Sequence, residues 1–355
     1  VTKKITTSDI SDKLGLSRNT VSKALNDHPS ITDATKRKVI EQALAMGYKK
    51  VKLPGASYPA TSPAGQTKSI VYLTKGHLHV TSFWMHVMRG VEEIVSQHGY
   101  EMKLNFVKPE DIHSLTLPPI TGPDIKGVIV AGSISKEYTE KLLELPLPTV
   151  CISINPDIPL SNLNADVVLM ENEDSTYRIT RQLVQSGHED IGFIGDIGSC
   201  RSFMERWLGF QRAVLEAKLP AVPEHYLISE TPDNFQSYED ISQALAALNA
   251  LPTAFVCAND RIALHVIKYL NGIGKKVPED IAISGFDQVD EAEFLGYTLT
   301  TVSNDDYQLG VRAAEQLLQR LDNPNRPHET VRLATEVIWG ESTSSKSAST
   351  KSATI

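Results

Sequence analysis

Apolar residues recur at two different spacings along this chain, and the change between them divides it. Within residues 16–26 (LSRNTVSKALN), Val21, Ala24 and Leu25 fall on one side of a short helix. Arg18, Asn19, Ser22 and Lys23 fall on the other side, and most of these side chains can read base edges in a major groove. Before it, the pattern predicts a helix over 8–14, capped by the T-x-x-D of Thr6 and Asp9 and stopped by Gly15 at an αL position. Residues 26–30 read as a turn. A third helix is predicted over 33–46, capped by Thr32 and stopped by Gly47. Val39, Ile40, Ala43 and Leu44 make its buried stripe, and Lys36, Arg37 and Lys38 its exposed start. Helix, glycine turn and polar second helix are the helix-turn-helix pattern. An ordinary helical hairpin with a solvated polar face has the same spacing, so the periodicity alone does not decide between them.

From residue 69 the pattern changes to short apolar runs alternating with amphipathic helices. Strands are predicted over 70–73, 102–106, 127–131, 149–152, 191–194, 254–256 and 281–284. Helices are predicted over 82–98, 136–144, 203–217, 236–249 and 261–271. This alternation predicts an α/β chain of doubly wound parallel sheets covered on both faces. Such sheets bind ligands beyond the carboxyl ends of their strands. Residues 49–68 are Pro-, Gly-, Ser- and Ala-rich without helical periodicity and read as a semi-extended linker. Residues 342–355 are a Ser/Thr/Lys/Ala tail with no leucine heptad, expected to be disordered.

Charge changes the picture at the N-terminus. The net charge of −8 argues against nucleic acid. Its distribution reverses that, because residues 1–52 carry 11 Lys+Arg against 5 Asp+Glu, and the remainder 24 against 38. A basic head on an acidic body suits a head that meets phosphates. Cys151, Cys200 and Cys257 are isolated and odd in number, so neither a disulfide framework nor a zinc site is implied and a reducing compartment fits. With no long apolar run, a soluble cytoplasmic protein without membrane association is expected. No G-x-x-x-x-G-K-[ST], G-x-S-x-G or H-E-x-x-H is present, so neither an enzyme nor a metal or cofactor site is expected.

Three runs carry a resemblance. Thr6-x-x-Asp9-Ile10-Ser11, Gly15-Leu16-Ser17-x-x-Thr20-Val21-Ser22-x-x-Leu25-Asn26 and Thr35-Lys36-x-x-Val39-x-x-x-Ala43-x-x-x-Gly47-Tyr48 are similar to the headpiece of the LacI/GalR family of bacterial transcription regulators. The resemblance continues to about residue 340. It implies a headpiece over 1–48 and, over 69–341, a periplasmic-binding-protein-like core of two subdomains. These would cover about 69–170 with 298–326, and about 171–297 with 327–341, with crossovers near 170, 297 and 327. It also implies a homodimer on a pseudo-palindromic operator. Arg18, Asn19 and Lys23 would read bases, and Thr20, Ser22 and Asn26 would set register on phosphates. Thr6, Ser17, Lys49 and Lys50 complete the DNA-contacting set. Family members usually follow Gly-Tyr with Pro-Asn and a hinge helix whose leucine wedges into the minor groove. Here Lys49-Lys50 follow Tyr48 and Ser57 stands at the wedge position, so no hinge helix and nearly straight operator DNA are expected.

For an effector, the resemblance points to Arg206 within an R-x-x-G-[FWY] element and to Asp287 within Gly285-Phe286-Asp287. The bland reading of Arg206 is a structural arginine paired with a nearby acid. Asn259 is favoured over Asp260, which reads equally as a helix cap. Phe235 stands at an aromatic position expected to stack on the ligand, and Phe83-Trp84 at its counterpart on the other subdomain. An isolated aromatic is, however, more often core. Asn304 stands where relatives carry a ligand-facing amide. Ser153 replaces an acid, and Met170-Glu171 the usual Asp-Asn. His188 has a structural role in the turn before a strand. The function implied is a repressor of a carbohydrate-utilisation operon, set by a small sugar-like effector. The alternatives are control by a protein corepressor, or by a nucleobase stacked on Phe83 or Phe235.

Overall fold

The computed structural model describes residues 6–25, 28, 30–46, 68–75, 82–161, 163–229, 235, 237–303 and 305–344. The linker over 49–67, the hinge-helix question, Ser57 and residues 345–355 therefore lie outside the described residues, but the start of the expected tail is corrected: Ser342 is fully buried, its hydroxyl accepting the Thr300 N–H at 2.8 Å and donating to the Ile283 carbonyl at 2.7 Å.

The N-terminal sequence folds as its caps dictate, into α1 (Thr7–Leu14), α2 (Arg18–Leu25) and α3 (Asp33–Ala45). Thr6 and Asp9 form a reciprocal capping box, the Thr6 N–H donating to the Asp9 carboxylate at 2.8 Å. Gly15 closes α1 at φ 64°, in the left-handed region where a Cβ is strained. Ser17 Oγ accepts the Thr20 N–H at 3.0 Å at the start of α2, and Thr32 Oγ1 accepts that of Thr35 at 3.3 Å in the first turn of α3. Ile10, Val21, Ala24, Val39, Ile40 and Ala43 are fully buried between the three helices. Lys36 corrects the expectation of an exposed helix start, being only 7% exposed. It precedes Val39, Ile40 and Ala43 by three, four and seven residues, so it shares their inward face, where a long aliphatic stem packs along apolar surface.

The chain then forms β1 (Ser69–Lys75), α4 (Ser82–Gln97), β2 (Glu101–Val107), α5 (Pro109–Ser114), β3 (Ile125–Ala131), α6 (Lys136–Leu143), β4 (Thr149–Ile152) and β5 (Asp166–Met170). Next come α7 (Glu173–Gln185), β6 (Ile191–Asp196), α8 (Arg201–Glu216), β7 (Tyr226–Ser229), α9 (Tyr238–Ala246), β8 (Ala254–Cys257), α10 (Asp260–Gly272) and β9 (Ala282–Ser284). It ends with β10 (Thr301–Ser303), α11 (Asp306–Asp322), β11 (Thr330–Leu333) and β12 (Glu336–Ile338). Two compact units share these elements. The first takes Val1–Ile152, Leu160–Val168 and Asp306–Val331; the second takes Ser153–Pro159, Leu169–Asp305 and Arg332–Ile355.

The first unit holds a sheet in the order β11-β5-β4-β3-β1-β2. Its pairs β1–β2, β1–β3, β3–β4 and β4–β5 are parallel. The second unit holds the sheet β7-β6-β8-β9, parallel throughout, and the antiparallel pair β10–β12. Central strands are buried on both faces, as parallel sheets covered by crossover helices require. The chain changes unit at 168/169, 305/306 and 331/332, with a further excursion over Ser153–Pro159. The second change comes later than the expected 297 because β10 pairs with β12 of the second unit before α11 begins.

In the first unit α4 and α11 cross at two glycines. A Cβ on Gly90 would overlap the Tyr307 carbonyl oxygen, and one on Gly310 that of Val87. Gly310→Ala should therefore lower stability by about 1–3 kcal/mol, the usual cost of overpacking. Gly272→Ala, where a Cβ meets nothing within 4 Å, should be neutral or slightly stabilising. Thermal and urea unfolding of the two variants beside the parent checks this. Equal midpoints for Gly310→Ala and the parent would remove the close crossing as a packing constraint.

Candidate functional site

Within the second unit, the R-x-x-G spacing has a physical origin. A Cβ on Gly209 would overlap the Glu173 carbonyl oxygen and lie 3.1 Å from the Tyr177 nitrogen, so the glycine lets α8 lie against the first turn of α7. Arg206, three residues earlier and nearly a turn away, thereby reaches the residue that opens α7. That residue is Asn172, which is fully buried.

Arg206 is 5% exposed, and a buried guanidinium requires partners. Its Nε donates to Asn172 Oδ1 at 3.0 Å, Nη1 to the Ala258 carbonyl at 2.7 Å and Nη2 to Asp287 Oδ1 at 3.1 Å. Its central carbon lies 3.5 Å from the centroid of the Phe286 ring, a close cation–π arrangement. Three of the five N–H donors are thus committed to the protein in these contacts. The acid expected of a structural arginine is present, and it is Asp287, itself a candidate site residue.

Asp287 sits at φ 103° and Gln288 at φ 50°, both in the left-handed region that costs a side chain of this kind on the order of 1–3 kcal/mol. The loop is anchored from beneath by Asp260. The carboxylate of this fully buried residue accepts the Thr301 hydroxyl at 2.7 Å and the Val289 N–H at 3.0 Å. Gly285 permits the approach, since a Cβ there would overlap Asp260 Oδ1. Burial, reinforced by the charge of Asp287, pushes the Asp260 carboxyl up to about 7, against the opposing effects of Thr301, Val289 and Arg206.

The other effector candidates divide. Asn259, not Asp260, caps α10, its Oδ1 accepting the Ile262 N–H at 2.9 Å. Its oxygen is thus committed locally. Phe235 is 8% exposed, sits at φ 56° and belongs to the apolar core of the second unit, so its ring serves packing rather than an open stacking face. Ser153 has φ 67° and a buried hydroxyl without a hydrogen-bond partner among the described residues. Phe83 and Trp84 lie in the first turn of α4, in the first unit, packed edge to face at 4.9 Å. Asn304 lies outside the described residues. His188 Nδ1 meets Thr253 Oγ1 at 2.9 Å, tying its turn to the segment that precedes β8. Sequence reasoning missed Asn172 and Glu205. The available signal was position: Asn172 directly follows the Met170-Glu171 departure and directly precedes a helix, where a side-chain amide is a habitual cap.

On α2, Arg18, Asn19 and Ser22 are exposed and Lys23 is half-buried. Ser17 and Thr20 bond to each other through their hydroxyls at 2.8 Å, and the Thr6 hydroxyl donates to Asp9 at 2.6 Å. Those three hydroxyls shape the helix starts, while Arg18, Asn19 and Ser22 present the outward polar face. Asn26, Lys49 and Lys50 lie outside the described residues. Among the described residues no cluster of His, Cys, Asp or Glu could hold a metal, and no helix is long and apolar enough to cross a membrane.

The raised Asp260 carboxyl has a consequence for stability. Unfolding returns it to an ordinary carboxyl near 3.9, so between about pH 4 and 7 the folded state holds a proton that the unfolded state has lost. This contribution is complete below pH 4 and is lost as pH rises to 7, by at most about 1.4 kcal/mol per pH unit. Asp260→Asn, whose amide can still serve Thr301 and Val289, should flatten the fall in melting temperature across that window. An unchanged pH profile in the variant would place the proton elsewhere.

Comparison with known proteins agrees with this architecture. A family model described as a periplasmic binding protein-like domain matches residues 180–343. The chain is 27% identical over 347 residues to the HTH-type transcriptional repressor PurR of Histophilus somni, covering 94% of this chain and 97% of that one. It is 27% identical over 339 residues to the ribose operon repressor of Haemophilus influenzae, covering 95% and 98%. Among solved structures, the transcriptional regulator CelR in complex with cellobiose superposes with a TM-score of 0.67 at 21% identity, covering 95% and 99%. The headpiece motifs, the capped helix-turn-helix, the paired α/β units and near-complete matches to helix-turn-helix repressors lead to one conclusion: the chain has the fold of the LacI/GalR family of bacterial transcription regulators and resembles its members over nearly its whole length.

Proposed function

We propose that this protein is a sequence-specific DNA-binding repressor whose operator affinity is set by a small sugar-like effector. The observation that carries the reading is α2 itself. Val21, Ala24 and Leu25 fix one side of it in the headpiece core, and Arg18, Asn19 and Ser22 project from the other. A capped helix with this division suits insertion into a major groove, where a good bidentate contact discriminates bases by roughly 1–3 kcal/mol. The protein acts in the cytoplasm as a homodimer on a pseudo-palindromic site, because two-fold protein symmetry matches two-fold DNA.

The effector side rests on Arg206. Its charge is paired with Asp287 inside the protein, which favours a neutral, hydroxyl-rich ligand over an anion that would compete for the same guanidinium. The names of the ribose operon repressor and of the CelR–cellobiose complex support a sugar. Coupling of about 1–3 kcal/mol between the two sites makes a useful switch.

Selection of binding sites from randomised duplexes should recover a palindrome. Arg18→Ala and Asn19→Ala should then relax preference at particular positions of it. Uniform weakening across all sequences would reassign them to phosphate contacts, and no enrichment would end the operator reading. In parallel, D-ribose or cellobiose should raise the melting temperature of the parent but not of Arg206→Ala. At a hundredfold over its dissociation constant, a native-state ligand adds about 2.7 kcal/mol. No shift with either sugar would move the effector to a corepressor protein or a nucleobase.

A further inference from the structure

Within the second unit, Arg206 is oriented by a chain of side chains reaching to Arg332. Asn172 accepts Arg206 Nε–H through Oδ1, and its Nδ2 donates to the Met170 carbonyl at 2.9 Å and to Glu205 Oε2 at 3.1 Å. Every polar atom of this fully buried amide has a partner, so only one of its two orientations is satisfied. Reversing it would set NH2 against the Nε–H of Arg206 and an oxygen against the Met170 carbonyl. The carboxylate of Glu205 selects the orientation, and Glu205 is in turn gripped by Arg332. Arg332 Nη1 donates to Oε2 and Nη2 to Oε1, both at 2.7 Å, in a bidentate fork. Glu205 is almost buried, whereas the Arg332 side chain is 42% exposed. The ion pair therefore reaches from the surface to the innermost amide.

We infer that Arg332 and Glu205 are positioning residues for effector binding, fixing the plane of the Arg206 guanidinium through the Asn172 amide. The inference rests on the reading of Arg206 as an effector contact. Asn172 and Arg332 each closely follow a point where the chain enters the second unit, at 168/169 and 331/332. The relay therefore ties the effector arginine to both of those entering segments at once. Glu205 also lies beside Arg206 on α8, so the fork holds the N-terminal turns of that helix to Arg332, where the chain re-enters the second unit.

The test needs a readout that does not require the effector. In the full-length 15N-labelled protein, the Arg206 Nε–H resonance is identified by its loss in Arg206→Lys, and its hydrogen exchange is measured. Arg332→Met and Glu205→Gln should each accelerate that exchange at least about tenfold, the factor expected when the support of a hydrogen bond to a charged group is lost. Arg332→Lys, which keeps the charge but loses the fork, should fall between them and the parent. The backbone amides of Phe255 and Val256 in β8 report on the unit as a whole and should keep their parental exchange. Unchanged Arg206 exchange in both Arg332→Met and Glu205→Gln overturns the relay. So does equal acceleration at Phe255 and Val256, which marks general loosening. Should Arg332→Met fail to fold, Glu205→Gln decides alone, since it keeps the side-chain shape. Titration with D-ribose and cellobiose adds the functional arm, in which Arg332→Met should weaken the sugar that binds the parent by about tenfold. If neither sugar binds the parent, the sugar reading fails while the exchange arm still decides the relay.

Discussion

The second unit is arranged around one buried positive charge. A guanidinium removed from water is tolerated only when its donors are met and its charge is opposed. Arg206 satisfies that demand with an amide, a carbonyl and a carboxylate drawn from three separate places: the start of α7, the end of β8 and the loop after β9. Two glycines make the meeting possible. Gly209 brings α8 onto α7, and Gly285 brings the loop of Asp287 onto Asp260. Removing either close approach would leave the charge buried with a partner missing, which costs more than the lost contact itself.

The same neighbourhood separates two carboxyl groups by environment. Asp287 is paired with Arg206 at 3.1 Å and remains partly reachable, whereas Asp260 lies beneath it with no exposed surface. Desolvation and the neighbouring negative charge favour a protonated Asp260, which braces the strained loop through Thr301 and Val289. The outer group opposes the arginine's charge, and the inner one holds the loop that carries the outer.

The headpiece faces a different problem. Three short helices enclose a very small apolar core, so their ends contribute a large share of the local order. Thr6 with Asp9, Gly15, Ser17 and Thr32 each satisfy backbone groups that a short helix otherwise exposes unpaired. These contacts set the register of α2, and hence which side chains face outward. The polar face of Arg18, Asn19 and Ser22 follows from where Ser17 and Gly15 start and stop the helices.

Local chemistry made much of this protein legible in its sequence. Caps, αL glycines and apolar periodicity act within a few residues, so α1 to α3 and the strand–helix alternation could be read directly, as could the candidacy of Arg206 and Asp287. Lys36 was misread because basic residues are usually solvated, and a periodic argument does not show that an aliphatic stem will lie along the core. Asn259 meets a purely local partner, the first turn of α10, which its place just before that helix already allowed, whereas the apolar core around Phe235 is made by residues distant in the chain. The relay of Arg332, Glu205 and Asn172 lay furthest from view. Its members are separated by up to 160 residues, and they meet only because a glycine lets two helices touch and the chain re-enters the second unit at Arg332. Sequence determines what each short segment prefers and which side chains carry chemistry. Which of those side chains share a buried volume, and therefore fix one another's geometry and charge, is decided by packing between segments that have no local reason to meet.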